Sequence, residues 1–117
     1  MSVLTVYLSK ALLCAAAQCW PVLVGPSTPV GNGYVLIQRL TADPGYGGDV
    51  LQFQESDTEI WAIHRVWTLR PNERRAERLQ SPDPNQRHIT KGCINVATVV
   101  YDYLVINYRG ATLDIVP

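Results

Sequence analysis

The architecture of this chain is organised around residues 87–96, which read Arg87-His88-Ile89-Thr90-Lys91-Gly92-Cys93-Ile94-Asn95-Val96. The segment closes a polar, arginine-rich run and opens an apolar one, and a glycine directly precedes its cysteine. A thiol becomes a useful nucleophile when it is deprotonated or has a base beside it. Cys93 is therefore a candidate nucleophile, and Gly92 is the residue whose missing Cβ permits a backbone bend that aims amide N–H groups at a substrate oxyanion.

The residues after Cys93 follow helical spacing, with Asn95 as the predicted N-cap and Gly110 beyond the predicted end. The apolar positions of this helix are Val96, Val99, Val100, Tyr103 and Leu104. A helix N-terminus carries positive potential, so this arrangement predicts a lowered thiol pKa. Lys91 and Arg87 would add positive charge nearby, and the local setting therefore favours a thiolate.

Two histidines, His64 and His88, are the candidate bases. His64 lies near the end of the apolar run 60–67, whose bulky residues on both faces predict a central strand. His88 lies in the approach to Cys93. The alternative for His64 is a strand histidine packed between tryptophans, and most single cysteines are structural. Spacing alone therefore leaves the Cys/His pair open.

Length and composition limit the class of protein. The chain has 117 residues, of which 47% are hydrophobic, and this predicts one folded domain over residues 1–117. Ten Lys and Arg residues balance ten Asp and Glu residues, which argues against a general nucleic-acid binder. We expect no transmembrane helix, since no apolar run is long enough. Residues 11–17 resemble a signal-peptide core, but the β-rich residues before Lys10 favour a folded strand.

Three cysteines leave at least one unpaired within the chain. Cys14 and Cys19 would face each other if residues 11–14 and 19–24 form the two arms of a hairpin. They either pair in an oxidising compartment or remain as two small, reduced, buried side chains, and we favour the second interpretation. The cysteine spacing is a poor zinc signal, so no metal is predicted.

The remaining patterns predict a mainly β fold with one helix after Cys93 and one short helical insertion. Residues 3–8, 34–40, 50–54 and 111–116 are further predicted strands, separated by Gly- and Pro-rich loops at 25–33 and 43–48. The second loop carries Tyr46 as an exposed aromatic residue. The polar segment 70–88 predicts a short helix through Leu79, closed by two prolines.

Thr90-Lys91-Gly92-Cys93-Ile94-Asn95 resembles the signature of the L,D-transpeptidase catalytic domain, [ST]-H-G-C-hydrophobic-[NR], at every position except Lys91. Upstream, Ala62-Ile63-His64 resembles the strand that carries the histidine of that family. Thr28-Pro29-Val30-Gly31 resembles its T-P-x-G loop. These motifs fall in the family's order, and the resemblance spans nearly the whole chain.

The resemblance implies an L,D-transpeptidase-like β-sandwich or barrel with Cys93 as nucleophile, His64 as general base, and the amides of Gly92 and Cys93 as oxyanion donors. It implies no metal or other cofactor. The substrates would be peptidoglycan stem peptides in the periplasm or cell envelope, by an export route that the sequence does not reveal. An acyl-enzyme would pass to an amine, giving a crosslink, or to water, giving L,D-carboxypeptidase activity. The alternatives are a secreted toxin or effector of the same fold and a non-catalytic peptidoglycan-binding module.

This chain departs from the family pattern at Lys91, which replaces a histidine, and at Arg65, which follows His64. The arginine-rich segment also lengthens the interval between His64 and Cys93. The candidate substrate-binding residues are Thr90, Lys91, Arg87, Arg65 and Tyr46. Stem-peptide carboxylates are further predicted to bind some of Arg70, Arg74, Arg75, Arg78 and Arg87, the alternative being a solvated helix with Glu–Arg pairs.

Overall fold

A computed structural model describes residues 3–117 and contains nine strands and two α-helices over that range. The strands are β1 (Val3–Tyr7), β2 (Leu12–Ala15), β3 (Gln18–Pro21), β4 (Gly31–Val35), β5 (Ile37–Leu40), β6 (Asp49–Glu55), β7 (Ile60–Arg65), β8 (Ile94–Val96) and β9 (Thr112–Val116). The α-helices are α1 (Arg75–Leu79) and α2 (Thr98–Tyr108), and short 3₁₀ turns cover Pro44–Tyr46, Pro71–Glu73 and Pro84–Arg87.

The strands form two sheets, which confirms the mainly β prediction. The first sheet has the order β3-β2-β1-β9-β4 and the second the order β5-β6-β7-β8. Two pairs of neighbouring strands are parallel, β1 with β9 and β7 with β8. The predicted strand at 60–67 lies inside the second sheet between β6 and β8, so its position as a central strand is confirmed.

One continuous apolar core joins both sheets and helix α2. Leu4 and Leu113 from the first sheet, Ile63 and Ile94 from the second, and Leu104 from the helix are completely buried in it. Burying apolar surface at about 25 cal/mol per Å² is the main stabilising term for such a core. The segment that carries Cys93 enters this core directly through β8, which anchors the candidate nucleophile to the rigid part of the fold.

The predicted strand at 34–40 is in fact two strands, and this prediction was wrong. Leu36 separates them and is completely buried. Its N–H donates to the carbonyl of Ala111 at 3.0 Å, and its own carbonyl accepts from Gly110 at 2.8 Å. The chain therefore leaves the first sheet at β4 and enters the second at β5. The preceding loop is also shorter than predicted, since β4 begins at Gly31.

The apolar residues after Cys93 begin as a strand and not as a helix. Residues Ile94–Val96 are all buried, and they pair in parallel with Ile63, His64 and Arg65. Ile and Val are β-branched and fit a buried sheet, so strand pairing prevails over the helical periodicity here. Helix α2 starts only at Thr98, Ala97 occupies the N-cap position, and the prediction of Asn95 as the helix cap was wrong.

Cys14 and Cys19 form a disulfide, which corrects the favoured prediction of two reduced, buried thiols. The two residues face each other across the antiparallel β2–β3 pair, as the predicted hairpin required. Cys14 is only partly buried and Cys19 is exposed, so neither behaves as a small core residue. The bridge leaves Cys93 as the free cysteine of residues 3–117.

No helix within residues 3–117 has the length and apolar character needed to cross a membrane.

Candidate active site

Parallel pairing of β7 with β8 places His64 and Cys93 on one face of the second sheet. His64 lies directly opposite Asn95 in the register. Cys93 precedes Asn95 by two residues, and side chains two apart on an extended strand point to the same face. His64, Asn95 and Cys93 therefore share a face, although Cys93 lies 29 positions after His64 in the chain.

His64 and Cys93 line one cavity of about 360 Å³. Its aromatic walls are Tyr46, Trp61 and Trp67, and its charged lining residues are Glu59, Arg70, Arg75 and Lys91. A smaller cavity of about 100 Å³ shares Tyr46, Ile60 and Cys93 with the first and continues toward Arg39 and Gln52. The thiol is therefore reached from two adjoining cavities.

His64 is almost completely buried, at 2% exposure. Its ring packs on Tyr46 with centroids 4.6 Å apart, and its Nδ1 lies 2.6 Å from the carbonyl oxygen of Arg65. Since a carbonyl only accepts, Nδ1 carries the proton and Nε2 holds the lone pair. Burial lowers the pKa of His64 to about 4, the Arg75 charge adds to this, and the Arg65 carbonyl and Asp43 oppose it. His64 is thus a neutral base at pH 7.

The thiol of Cys93 is partly buried, and its Sγ lies 3.8 Å from the carbonyl oxygen of Ile60. Burial raises the pKa of Cys93, a hydrogen bond from the Ala62 backbone and the charge of Arg75 lower it, and Glu59 raises it. The predicted lowering of this pKa was wrong, because a strand and not a helix N-terminus follows the cysteine. The neutral form of the thiol is therefore favoured.

The Thr28–Gly31 loop supports the segment that carries Cys93. Thr28 is buried, and its Oγ1 donates to the carbonyl oxygen of Gly92 at 2.8 Å. Ser27 donates to the carbonyl oxygen of Lys91 from both its N–H and its Oγ, at 2.9 and 2.8 Å. Thr90 Oγ1 in turn donates to the carbonyl oxygen of Cys93 at 2.7 Å. These bonds hold the backbone on both sides of the thiol.

Gly92 is required for space and not for an unusual φ. A Cβ at this position would lie 2.8 Å from Trp61 Nε1 and would also contact Ser27 Oγ. Real Cβ atoms do not approach other atoms this closely, so a larger residue would displace the aromatic wall of the cavity. We expected a sharp backbone bend at Gly92. Gly92 is not among the residues within 3–117 that have a positive φ, so its backbone conformation is open to other residue types.

Gly25 makes the closest backbone approach to this segment, and Gly25→Ala is expected to destabilise the fold. The added Cβ would contact the Thr90 carbonyl oxygen and lie 2.7 Å from the Lys91 carbonyl carbon. Backbone atoms cannot rotate away, so we expect a loss of about 2–3 kcal/mol in the free energy of unfolding. Urea denaturation measures this loss. Gly33→Asn is the matched control, because Gly33 is open to solvent at φ +75° and Asn tolerates that region.

The structure divides the candidate substrate-binding residues into two groups. Tyr46, Thr90 and Lys91 line the cavity. The hydroxyl of Thr90 is engaged by Cys93, and the exposed Lys91 Nζ pairs with Glu59 at 2.8 Å. The other two candidates, Arg65 and Arg87, do not line it.

Arg65 points to the opposite face of β7 from His64. Its Nη1 pairs with Asp49 at 2.9 Å and donates to the carbonyl oxygen of Tyr46 at 3.1 Å. Its guanidinium carbon lies 4.3 Å from the centroid of the Tyr101 ring. Arg65 therefore fastens the Tyr46 loop and helix α2 to the sheet, and its prediction as a substrate contact is corrected.

Arg87 is buried at 5% exposure. Its guanidinium donates to the backbone carbonyls of Lys10, Ala11 and Ser81, at 2.8, 3.3 and 2.5 Å. These bonds occupy its donors and tie the arginine-rich segment to the β1–β2 turn. Arg87 is consequently a structural arginine, and the prediction that it binds substrate is also corrected.

Two of the five arginines considered for carboxylate binding, Arg70 and Arg75, line the cavity. Arg74 makes an exposed ion pair with Glu77, and Arg78 donates to the backbone carbonyl of Glu73. Within residues 3–117 the guanidinium of Arg70 has no hydrogen-bond or ion-pair partner, although its backbone carbonyl accepts from Glu73 N–H. It is therefore the arginine most available to a bound anion.

Sequence reasoning missed Asn95 as a residue of this site. Its side chain is completely buried. Its Oδ1 accepts from Trp67 N–H and Arg75 Nη1, both at 3.1 Å, and its Nδ2 lies 3.4 Å from His64 Nε2. The available signal was that Asn95 is a polar residue between the apolar Ile94 and Val96, in a run that could equally be a buried strand.

The lowered pKa of His64 predicts that folding stability falls in mild acid. The unfolded chain binds a proton at His64 near pH 6.5, whereas the folded protein does so only near pH 4. Stability is therefore fully present above pH 6.5 and decreases as pH falls from 6.5 to 4, by up to about 3 kcal/mol. Urea midpoints at pH 4.5 and 7 measure it. We expect His64→Asn to reduce the dependence, and a dependence equal to that of the unaltered protein would contradict this origin.

No group of three or more His, Cys, Asp or Glu side chains within the described residues is arranged to hold a metal ion.

Comparison with known proteins supports the fold through structure and not through sequence. Neither a protein-family model nor a curated protein matches the sequence. The L,D-transpeptidase 3 of Mycobacterium tuberculosis matches with a TM-score of 0.66 at 13% identity, over 99% of this chain and 61% of that chain. Its complex with a faropenem-derived adduct matches with a TM-score of 0.60 at 11% identity, over 99% and 60%.

An L,D-transpeptidase from Xylanimonas cellulosilytica matches with a TM-score of 0.60 at 15% identity, over 98% of this chain and 60% of that chain. The chain thus spans about 60% of the length of the L,D-transpeptidases that it matches. The matches cover almost all of this chain, including both sheets and the residues that line the cavity at Cys93. The chain therefore has the fold of L,D-transpeptidase catalytic domains.

Proposed function

We propose that this chain is a cysteine-dependent L,D-transpeptidase or L,D-carboxypeptidase that acts on peptidoglycan stem peptides through an acyl-enzyme at Cys93. The observation that supports the proposal is that Cys93 and a neutral His64 line one cavity of a fold shared with L,D-transpeptidases. Residues 1–117 would form one catalytic domain. The fold by itself would not identify the reaction.

The protonation states favour base-assisted attack over a preformed thiolate–imidazolium pair. Nε2 of His64 gives up its long 3.4 Å contact with the Asn95 amide and takes the thiol proton, while Cys93 Sγ bonds to the carbonyl carbon that precedes the terminal D-alanine. The backbone N–H groups of Gly92 and Cys93 stabilise the resulting oxyanion. Its collapse breaks the C–N bond, and the leaving amine takes the proton from His64. A thioester remains on Cys93.

The thioester is resolved by a second nucleophile. An amine or a water molecule attacks the carbonyl, His64 accepts its proton, and Cys93 leaves and recovers the proton as a thiol. The two cavities that meet at Cys93 provide separate approaches for the acyl donor and the acceptor. Either an amine or water could use the second approach, so the proposal keeps both transfer and hydrolysis as outcomes.

Charge and shape at the cavity suit an anionic peptide. Arg70 and Lys91 offer cations to the carboxylates of a stem peptide, and Tyr46 with Trp67 provides an aromatic wall. Glu59 and Lys91 pair across the mouth, and this exposed pair contributes little to stability. Its opening would cost little when a charged substrate enters.

The disulfide supports a location in the periplasm or cell envelope, since disulfides persist in oxidising compartments. Peptidoglycan lies in the same compartment. The cross-strand bridge closes the hairpin next to β1 and lies outside the residues that line either cavity.

A non-catalytic peptidoglycan-binding module is the second candidate, and one observation favours it. His64 Nε2 has Asn95 as its polar neighbour, and within residues 3–117 no hydrogen bond joins His64 to Cys93. Apo sites often tighten such bonds only when substrate is bound, so the arrangement remains compatible with catalysis.

Incubation with a disaccharide tetrapeptide, read by mass spectrometry, tests the proposal. We expect release of D-alanine or formation of a crosslinked dimer. In a parallel incubation with faropenem, we expect the mass of the protein to increase by that of a covalent adduct. Binding of the muropeptide without any of these products would establish the module instead. D-alanine release that persists unchanged in Cys93→Ala would refute the assigned nucleophile.

A further inference from the structure

We propose that Arg75 is a positioning residue, which holds the Asn95 amide so that His64 keeps an unprotonated Nε2. The inference rests on the proposed function only in treating His64 as the base. It concerns the arginine-rich segment, which lies outside the motifs that the chain shares with L,D-transpeptidases. It assigns that segment a part in the chemistry at His64.

The orientation of the Asn95 amide is determined by its two donors. Trp67 N–H and Arg75 Nη1 each lie 3.1 Å from one side-chain atom of Asn95. A backbone N–H and a guanidinium can donate but cannot accept. The atom that they share must therefore be the oxygen Oδ1. The NH₂ group is left on the other side, 3.4 Å from His64 Nε2.

This orientation decides which form of the imidazole is stable. Nδ1–H is committed to the carbonyl oxygen of Arg65 at 2.6 Å. With Nδ2 of Asn95 facing it, Nε2 must present a lone pair. If the amide rotated by 180°, Oδ1 would face Nε2 and would accept a hydrogen bond from a protonated Nε2. Both ring nitrogens would then donate hydrogen bonds, and this would stabilise the imidazolium. An imidazolium cannot act as a base.

The position of the Arg75 side chain is fixed by contacts within the arginine-rich segment. Its Nε donates to Glu73 Oε1 at 2.9 Å, and both side chains are largely buried, at 13% and 21% exposure. The preceding residue, Arg74, adopts a left-handed conformation at φ 54°, where α1 begins. That turn separates the 3₁₀ turn carrying Glu73 from the helix carrying Arg75. The ion pair and the turn together fix the guanidinium against Asn95.

The charge of Arg75 acts in the same direction as its hydrogen bond. It lowers the pKa of both His64 and Cys93. Among the other charged and titratable groups around His64, Asp43 opposes this effect, and Tyr46 packs against the ring while remaining neutral because burial raises its pKa. Arg75 therefore supports a neutral base and a thiol that ionises as it reacts. Arg70, which lacks such partners, remains the anion-binding candidate.

Long-range ¹H–¹⁵N NMR of the histidine ring tests this proposal without requiring turnover. In the unaltered protein we expect the neutral Nδ1–H tautomer at pH 7. Arg75→Ala is expected to raise the pKa of His64 by about one unit, and Arg75→Lys to restore part of the difference. Arg109→Gln is the matched control, because Arg109 is exposed, donates to Gln38 Oε1 and lines neither cavity.

A double-mutant cycle separates positioning from direct charge. If Arg75 acts through Asn95, Arg75→Ala shifts the His64 pKa much less in an Asn95→Ala background. An equal shift of the His64 pKa in both backgrounds would overturn the positioning role. So would a His64 pKa and tautomer that do not change in Arg75→Ala. An Nε2–H tautomer in the unaltered protein would overturn it as well. The expected NMR result together with a Cys93 that is never acylated would refute the proposed function and leave the role of Arg75 standing.

Discussion

Cys93→Ala is expected to abolish acylation of the protein by faropenem, read as the loss of the adduct mass in intact-protein mass spectrometry. In the proposed mechanism the sulfur of Cys93 forms the covalent bond, and alanine offers no replacement nucleophile. On a disaccharide tetrapeptide we expect D-alanine release to fall by at least ~10³-fold. The fold should persist, since Cys93 is only partly buried and its thiol has only weak polar contacts, with the Ile60 carbonyl at 3.8 Å and with the Ala62 backbone.

The matched control is the double variant Cys14→Ala, Cys19→Ala, which removes the other two sulfurs and keeps Cys93. We expect it to form the adduct at the normal rate in conditions where it is folded, because the bridge lies outside the cavity lining. An adduct on Cys93→Ala would show that faropenem reacts with another group. Loss of the adduct only in the double variant would place the reactive sulfur in the hairpin.

His64→Asn is expected to slow acylation at pH 7 by ~10²- to 10⁴-fold, the usual contribution of a general base. The asparagine amide can still donate to the Arg65 carbonyl, which receives the Nδ1 proton of His64 at 2.6 Å in the native protein. The substitution therefore removes the base while it preserves the local hydrogen bond. Stopped-flow or timed mass spectrometry of faropenem acylation provides the rate.

The pH profile separates a lost base from a disturbed fold. Burial raises the pKa of Cys93, so without a base the reaction depends on the small thiolate fraction. We expect the His64→Asn rate to rise tenfold per pH unit through the neutral range and to approach the native rate in alkali. His88→Asn should leave the rate unchanged, because the His88 ring lies 2.9 Å from the Pro84 and Leu8 carbonyl oxygens and lines neither cavity. A pH-independent deficit in His64→Asn would argue against the base role.

The sequence was sufficient to predict several local features. Val3–Tyr7 and Thr112–Val116 are short, β-rich and bounded by turn residues, and both are strands. The Ala15–Gln18 turn placed Cys14 opposite Cys19, although the favoured oxidation state was wrong. The order of the Thr28–Gly31, His64 and Cys93 motifs predicted the fold that the structural matches support. Such features depend on residue type and on neighbours in sequence, so they can be predicted from the amino-acid sequence alone.

Interactions between distant segments could not be predicted in the same way. Arg65 and Arg87 have the chemistry of anion-binding residues, but tertiary contacts engage them with Asp49 and with three backbone carbonyls. Asn95 resembled a helix cap until the pairing of Ile94 and Val96 with β7 made it part of a strand. A one-dimensional pattern does not reveal which partner reaches a polar side chain.

The amino-acid sequence alone established a mainly β chain, the candidate pair Cys93 and His64, and an insertion rich in arginine, because these follow from periodicity, motif order and composition. Only the tertiary structure determined the chemical state of the pair. Parallel pairing of β7 with β8 brings the two residues into a buried setting, which lowers the pKa of His64 to about 4 and raises the pKa of Cys93. It also brings Arg75 against Asn95, 20 residues away in the chain. Burial and long-range hydrogen bonds set protonation, and neither is a property of a residue considered by itself.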